Sequence, residues 1–211
     1  MDAGLGLVIG FALVVAATLA FVASAVRAAS PRAVVPVVVA ACVWLGALTV
    51  LAWRGTFDHL PPPAAGVPLL ALIVVAQLVP ATRRFCDRLP LATLTYLHLV
   101  RAGVEFCLFG LAMDHLVPSE MTFAGRNFDI AIAFTAPLFG NLGFPDGRPA
   151  RGPLIIWNLI ALGMLGHVVG QAMLAQPHAL ATWPWVWLPG FIVPIVAGAH
   201  VISLRRLISN R

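Results

Sequence analysis

His98, Arg101 and Glu105 stand three and four residues apart in an apolar stretch, Leu94–Glu105, so a helix through it carries all three on one face. An imidazole, a guanidinium and a carboxylate placed this way could relay a proton, hold an anion or neutralise one another. The stretch falls in the middle of an expected membrane span, Leu89–Met113. At 1.5 Å of rise per residue, Arg101 then lies about 18 Å from either end, near the bilayer midplane. An unpaired arginine at that depth costs at least about 2.5–3.5 kcal/mol. Arg101 is therefore expected to face the bundle interior and to pair with Glu105 one turn on, with Asp129 as the first alternative partner. The bland counterpart is an Arg101–Glu105 pair that only fixes helix packing.

A second group runs Pro118-Ser119-Glu120-Met121-Thr122-Phe123-Ala124-Gly125-Arg126-Asn127-Phe128-Asp129. It mixes both charges with amides and aromatics, and Gly125 permits a tight turn. It reads as a binding loop, as a helix start with Asn127 as cap and Asp129 at the positive helix end, or as both. Further along stand Trp157, Asn158, His167, Gln171 and His200, with Gly163, Gly166 and Gly170 forming a small-residue face suited to close helix contact. The expected span directions put Glu105, Asp129, His167 and Gln171 in one tier, and His98, Asn158 and His200 in another. Arg101 lies between them.

Other chemistries fit less well. With no lysine among its thirteen basic side chains, the chain cannot form a retinal or pyridoxal Schiff base or supply a Walker lysine. No cofactor is expected. Histidines on three helices leave a metal site as an alternative, with His167 and His200 as ligands, but no HExxH or His-x3-His pair exists. No serine stands in a recognisable strained turn, and no two histidines pair at one depth for haem.

The elements that position these residues follow from composition. At 61% hydrophobic and 10% charged, the chain falls well outside the roughly 25% charged content of soluble domains. Seven stretches approach the roughly 20 apolar residues a membrane helix needs. They are Ala3–Val26, Ala33–Trp53, Ala64–Thr82, Leu89–Met113, Asn127–Phe144, Pro153–Leu174 and Trp185–Leu204. The expected fold is a single all-α transmembrane domain, residues 1–211, of seven helices.

Ten arginines, Arg27, Arg32, Arg83, Arg84, Arg88, Arg148, Arg151, Arg205, Arg206 and Arg211, fall in the loops after the odd-numbered spans. Only Arg54 and Arg126 fall on the other side. The positive-inside rule then puts the C-terminus in the cytoplasm and the N-terminus, which begins Met1-Asp2, outside. The third stretch is the weakest, with Pro68 and Pro80 near its ends, and a re-entrant third segment would bring the N-terminus inside. The first stretch reads as a retained helix, having no basic segment ahead of it. Cys42, Cys86 and Cys107 make no disulfide framework. Trp183, Trp185 and Trp187 read as an interfacial belt. The net charge of +5 belongs to loops facing anionic lipid, and no nucleic-acid partner is expected. Arginine-only basic usage fits a GC-rich bacterial genome and hence a bacterial inner membrane.

The helix of Arg101 and Glu105, the Phe123–Asp129 run, Trp157-Asn158 and Pro189…Pro194…His200-Val201-Ile202-Ser203-Leu204 resemble those of small uncharacterised bacterial polytopic membrane proteins. The resemblance covers about Leu89 to Leu207. It implies the architecture and no activity.

The functional expectation is a protein that binds, transports or senses a small polar or anionic ligand or an ion, rather than an enzyme. Its site is an outward-facing cavity of Glu105, Asp129, His167 and Gln171, with Arg101 at the floor, His98 or His167 relaying protons and the Asp114–Arg126 loop closing it. The rivals are a metal-dependent lipid hydrolase and a subunit whose polar residues serve only assembly.

Overall fold

The computed structural model describes residues 3–209, and over that range the chain is helical with no strand. Met1, Asp2 and Arg211, which enter the orientation argument, lie outside the described residues. The helices are α1 Leu5–Ala29, α2 Val34–Trp53, α3 Val67–Ala76, α4 Pro80–Asp87, α5 Leu91–Tyr96, α6 Val100–Met113, α7 Asp129–Leu142, α8 Arg151–Ala175 and α9 Val193–Ile208. A 3-10 turn, Leu97–Leu99, joins α5 to α6 as one long rod, and a π turn, Leu188–Ile192, precedes α9. Among the described residues, five helical rods are long and apolar enough to cross a membrane: α1, α2, α5–α6, α8 and α9 with its π turn.

The other two expected spans are less regular. The third bends by 92° between α3 and α4, where Pro80 cannot continue the hydrogen-bond ladder. Even so, this segment passes from one end of the bundle to the other. Pro63, just ahead of α3, packs near Leu188 and Pro189, whereas Asp87 at the end of α4 accepts a hydrogen bond from Arg205 at the end of α9. The fifth, α7, has 14 residues, about 21 Å of helix, and carries Pro137 inside it.

Direct contacts fix the helix directions. α1 runs antiparallel to α6: a Cβ added to Gly103 would meet Val14 at 2.5 Å, and one added to Gly110 would meet Leu7 at 2.6 Å. The missing side chains let the two backbones approach closely. The second half of α2 packs beside the π turn, where the Trp44 indole donates to the Gly190 carbonyl at 2.9 Å and the Trp187 indole to Leu45 and Thr49. Arg205 and Arg206 tie the end of α9 to Asp87 and the Leu89 carbonyl. This arginine-rich end lies opposite the one that carries the Asp114–Arg126 loop.

α1 and α2 lie at the rim. Leu5, Ile9 and Leu13 form an exposed stripe on α1, and Val35, Val39 and Val43 one on α2, each at the four-residue helical spacing. Buried polar and charged groups concentrate instead where α6, α7, α8 and α9 meet: Arg101, Glu105, Asn127, Asp129, Asn158 and His200 are each at most 5% exposed.

Candidate functional site

Arg101 is the hub of that interior, and its acid is Asp129, not Glu105. Nε donates to Asp129 Oδ2 at 2.6 Å and Nη2 donates to Asp129 Oδ1, a two-point clamp between guanidinium and carboxylate. The expected Arg101–Glu105 pair does not form, and helix geometry explains why. Side chains on a helix lean toward its N-terminus, so Arg101 tilts away from a residue one turn C-terminal to it. An acid preceding its base is the favourable order at this spacing, and here the order is reversed. Asp129 comes from the first turn of α7, where the exposed N–H groups and the helix dipole favour a carboxylate.

The rest of the network follows from which atoms can donate. Arg101 Nη1 lies 3.3 Å from His200 Nε2, and an arginine nitrogen can only donate, so Nε2 accepts. His200 Nδ1 then carries the proton and donates to Asn158 Oδ1 at 2.8 Å, while Asn158 Nδ2 donates to the Leu154 carbonyl. Arg101 Nη2 also donates to the Ala161 carbonyl on α8. On the other side, Asn127 Oδ1 accepts from the Asp129 backbone N–H at 2.9 Å, so the expected cap role of Asn127 appears one residue ahead of the helix boundary. Asn127 Nδ2 donates to Glu105 Oε1 at 2.5 Å and to the Met121 carbonyl. One chain of hydrogen bonds thus runs from Glu105 through Asn127, Asp129, Arg101 and His200 to Asn158.

Two atoms at the edges of this chain have no hydrogen-bond partner among the described residues: Glu105 Oε2 and His98 Nδ1. His98 is expected to relay protons, yet its ring is stacked on His200 with centroids 4.0 Å apart and stands edge-on to Trp157. Glu105 differs in facing open space. Together with Arg101 and Asp129 it lines a cavity of about 60 Å³ whose remaining wall is apolar, with Leu108, Leu165, Val168, Ile192 and Val196 among its residues. Such a volume accommodates about two water-sized groups. The Asp114–Arg126 loop contributes Met121 to the wall, and Pro63 and Leu180 close other sides.

His167 and Gln171 do not join this cavity. They share a different face of α8, where His167 is exposed, Gln171 approaches it at 2.9 Å, and His167 Nε2 meets the Arg126 carbonyl at 3.2 Å. The cavity-lining residues of α8 are Leu165, Val168, Val169 and Ala172, and a 100° step per residue cannot bring positions 167 and 171 to the same side. The alternative metal pair fails for the same reason. His200 is enclosed with both ring nitrogens engaged, His167 lies outside, and no three of the His, Cys, Asp and Glu residues converge among the described residues. The glycine face of α8 is also open: a Cβ at Gly163, Gly166 or Gly170 would meet nothing within 4 Å. Close helix contacts fall at Gly103 and Gly110 instead. Gly125 does serve its loop, since a Cβ there would stand 2.4 Å from the Ser119 carbonyl oxygen.

These helices define an all-α bundle of membrane-spanning character with a polar chain buried through its centre. The chain belongs to the family defined by a domain of unknown function, DUF8737, which matches residues 62–208. No curated protein and no solved structure matches it. Every residue of the network and of the cavity described above lies inside that matched stretch.

Proposed function

We propose that this is a multi-pass membrane protein that binds a small ligand in the Glu105 cavity, in the manner of a transporter or sensor. The observation that carries the reading is that Glu105, which lines the cavity with Arg101 and Asp129, keeps a buried carboxyl oxygen, Oε2, without a hydrogen-bond partner among the described residues. Buried polar atoms are nearly always paired, and an unpaired carboxyl oxygen in such a place is a ready acceptor. Arg101, by contrast, is clamped by Asp129, His200 and Ala161, so it frames the site and is not the anion receptor its charge suggests. The ligand that fits is a small cation or hydrogen-bond donor with little polar surface elsewhere.

The topology we propose has seven crossings, with the N-terminus outside and the C-terminus in the cytoplasm of a bacterial inner membrane. The passage of α3–α4 between the two ends of the bundle and the gathering of arginines at one end support it. The cavity then belongs to the outer half.

Methylammonium is a suitable probe, being cationic and small. Titrated into detergent-purified protein, it should raise the melting temperature in a saturable way. Glu105→Gln, which keeps an acceptor for Asn127, should abolish the rise. An equal rise in Glu105→Gln would place the ligand elsewhere, and no rise in the wild type would reject a small-cation site.

A further inference from the structure

A second set of unpaired polar atoms lies at the arginine-rich end, away from the cavity. Between Pro80 and Leu91 and between His200 and Ser209 the sequence holds five arginines and one acid, Asp87. Asp87 accepts from Arg205 Nη2 at 2.5 Å, which leaves a positive excess. Arg83 stands one turn before Asp87 on α4, and α4 packs on the end of α9. Four guanidinium nitrogens, Arg83 Nε, Arg205 Nε, Arg205 Nη1 and Arg206 Nε, are shielded from solvent without an acceptor among the described residues, and Ser209 Oγ likewise has no partner there. Ser209 follows Arg205 by four residues, so both fall on one side of the α9 end.

An apolar cleft of about 140 Å³ lies between α1, α3, α5 and α9, and it reaches this end of the bundle at Leu89 and Ile202. Phe21, Val26, Ile73, Leu94 and Ile202 are among its walls. Two links join cleft and cluster. Arg206 lies one turn beyond Ile202, and it donates to the carbonyl of Leu89, which also lines the cleft. A molecule with an apolar chain in the cleft therefore has its head at the guanidiniums. α4, turned 92° from α3, sets its arginines at this end of the bundle, at headgroup level if the bundle spans the bilayer.

We propose that Arg83, Arg205, Arg206 and Ser209 hold the phosphate of a membrane phospholipid whose acyl chain occupies the cleft between α1, α3, α5 and α9. Excess positive charge selects an anionic lipid, and several N–H donors with one hydroxyl suit the oxygens of a phosphodiester. The site is separate from the Glu105 cavity and stands whether or not that cavity binds a ligand.

The test is a melting titration of the full-length protein in detergent with phosphatidylglycerol, set against phosphatidylcholine and against sodium phosphate at matched ionic strength. Phosphatidylglycerol should stabilise the wild type more than either. The double variant Arg83→Gln/Ser209→Ala removes no side-chain hydrogen bond made among the described residues, so its lipid-free melting should stay close to wild type. Its apparent affinity for phosphatidylglycerol should fall about tenfold. Unchanged affinity in that variant would overturn the proposal. So would equal stabilisation by sodium phosphate, which needs no cleft, or by phosphatidylcholine, which needs no charge excess.

Discussion

The Arg101 clamp makes a sharp statement about two acids that look equivalent in the sequence. Removing Asp129 leaves a guanidinium buried with no counter-charge, so Asp129→Ala should cost about 3–5 kcal/mol or prevent assembly. Glu105→Ala should cost much less, because Asn127 retains the Met121 carbonyl and Arg101 keeps its bonds to Asp129, His200 and Ala161. Replacing both members of the pair, Arg101→Met with Asp129→Leu, should recover most of the loss. Thermal melting of the four purified proteins orders them directly, and a Glu105→Ala protein less stable than Asp129→Ala would contradict the assignment. That Arg101 is buried inside the bundle and needs an acid was legible in the sequence. The choice of acid was not, since it depends on the lean of side chains along α6 and on where α7 begins. His167 and Gln171 were misplaced for a related reason: shared depth in the membrane says nothing about which face of α8 a residue occupies.

Glycines separate the elements that touch from those that do not. Gly103 is closed by Val14, a stiff β-branched side chain, so Gly103→Ala should overpack α1 against α6 at a cost of about 1–3 kcal/mol. Gly163→Ala meets open space and should be neutral, or more stable by up to about 1 kcal/mol through helix propensity. Comparing the two melting temperatures checks which face of which helix is packed. A destabilised Gly163→Ala would show that the α8 face is covered by another element. Hydropathy located most of the nine α-helices of the described residues, yet most of α4, with Arg83 and Arg84, falls where it reads a loop after the third stretch, and it could not show the α3–α4 bend or the π turn ahead of α9. Those depend on how Pro80 and Pro189 sit against neighbouring chain. The three-glycine pattern on α8 drew attention to the wrong contact because spacing alone does not say which face has a neighbour.

The bundle as a whole has a polar chain through its centre, an apolar cavity toward one end and a guanidinium cluster at the other. If the arginine-rich end is cytoplasmic, reporter fusions after Ile208 should report cytoplasm, and fusions in the Asp114–Arg126 loop should report the outside. A cytoplasmic result for that loop would reverse the orientation and turn the cavity inward. An orientation can be proposed from sequence because arginine counts in loops need no tertiary information, whereas the cavity draws its lining from seven separate stretches of the chain, from Pro63 to Val196. The central claim is that Glu105 holds a free carboxyl oxygen to which a ligand binds while Arg101 and Asp129 hold each other. Infrared difference spectroscopy of the protein with and without methylammonium observes those carboxyl groups directly. The account predicts a carboxyl or carboxylate band that changes on methylammonium addition and disappears in Glu105→Gln. A spectrum with no carboxyl change, or a change that survives in Glu105→Gln, would contradict it.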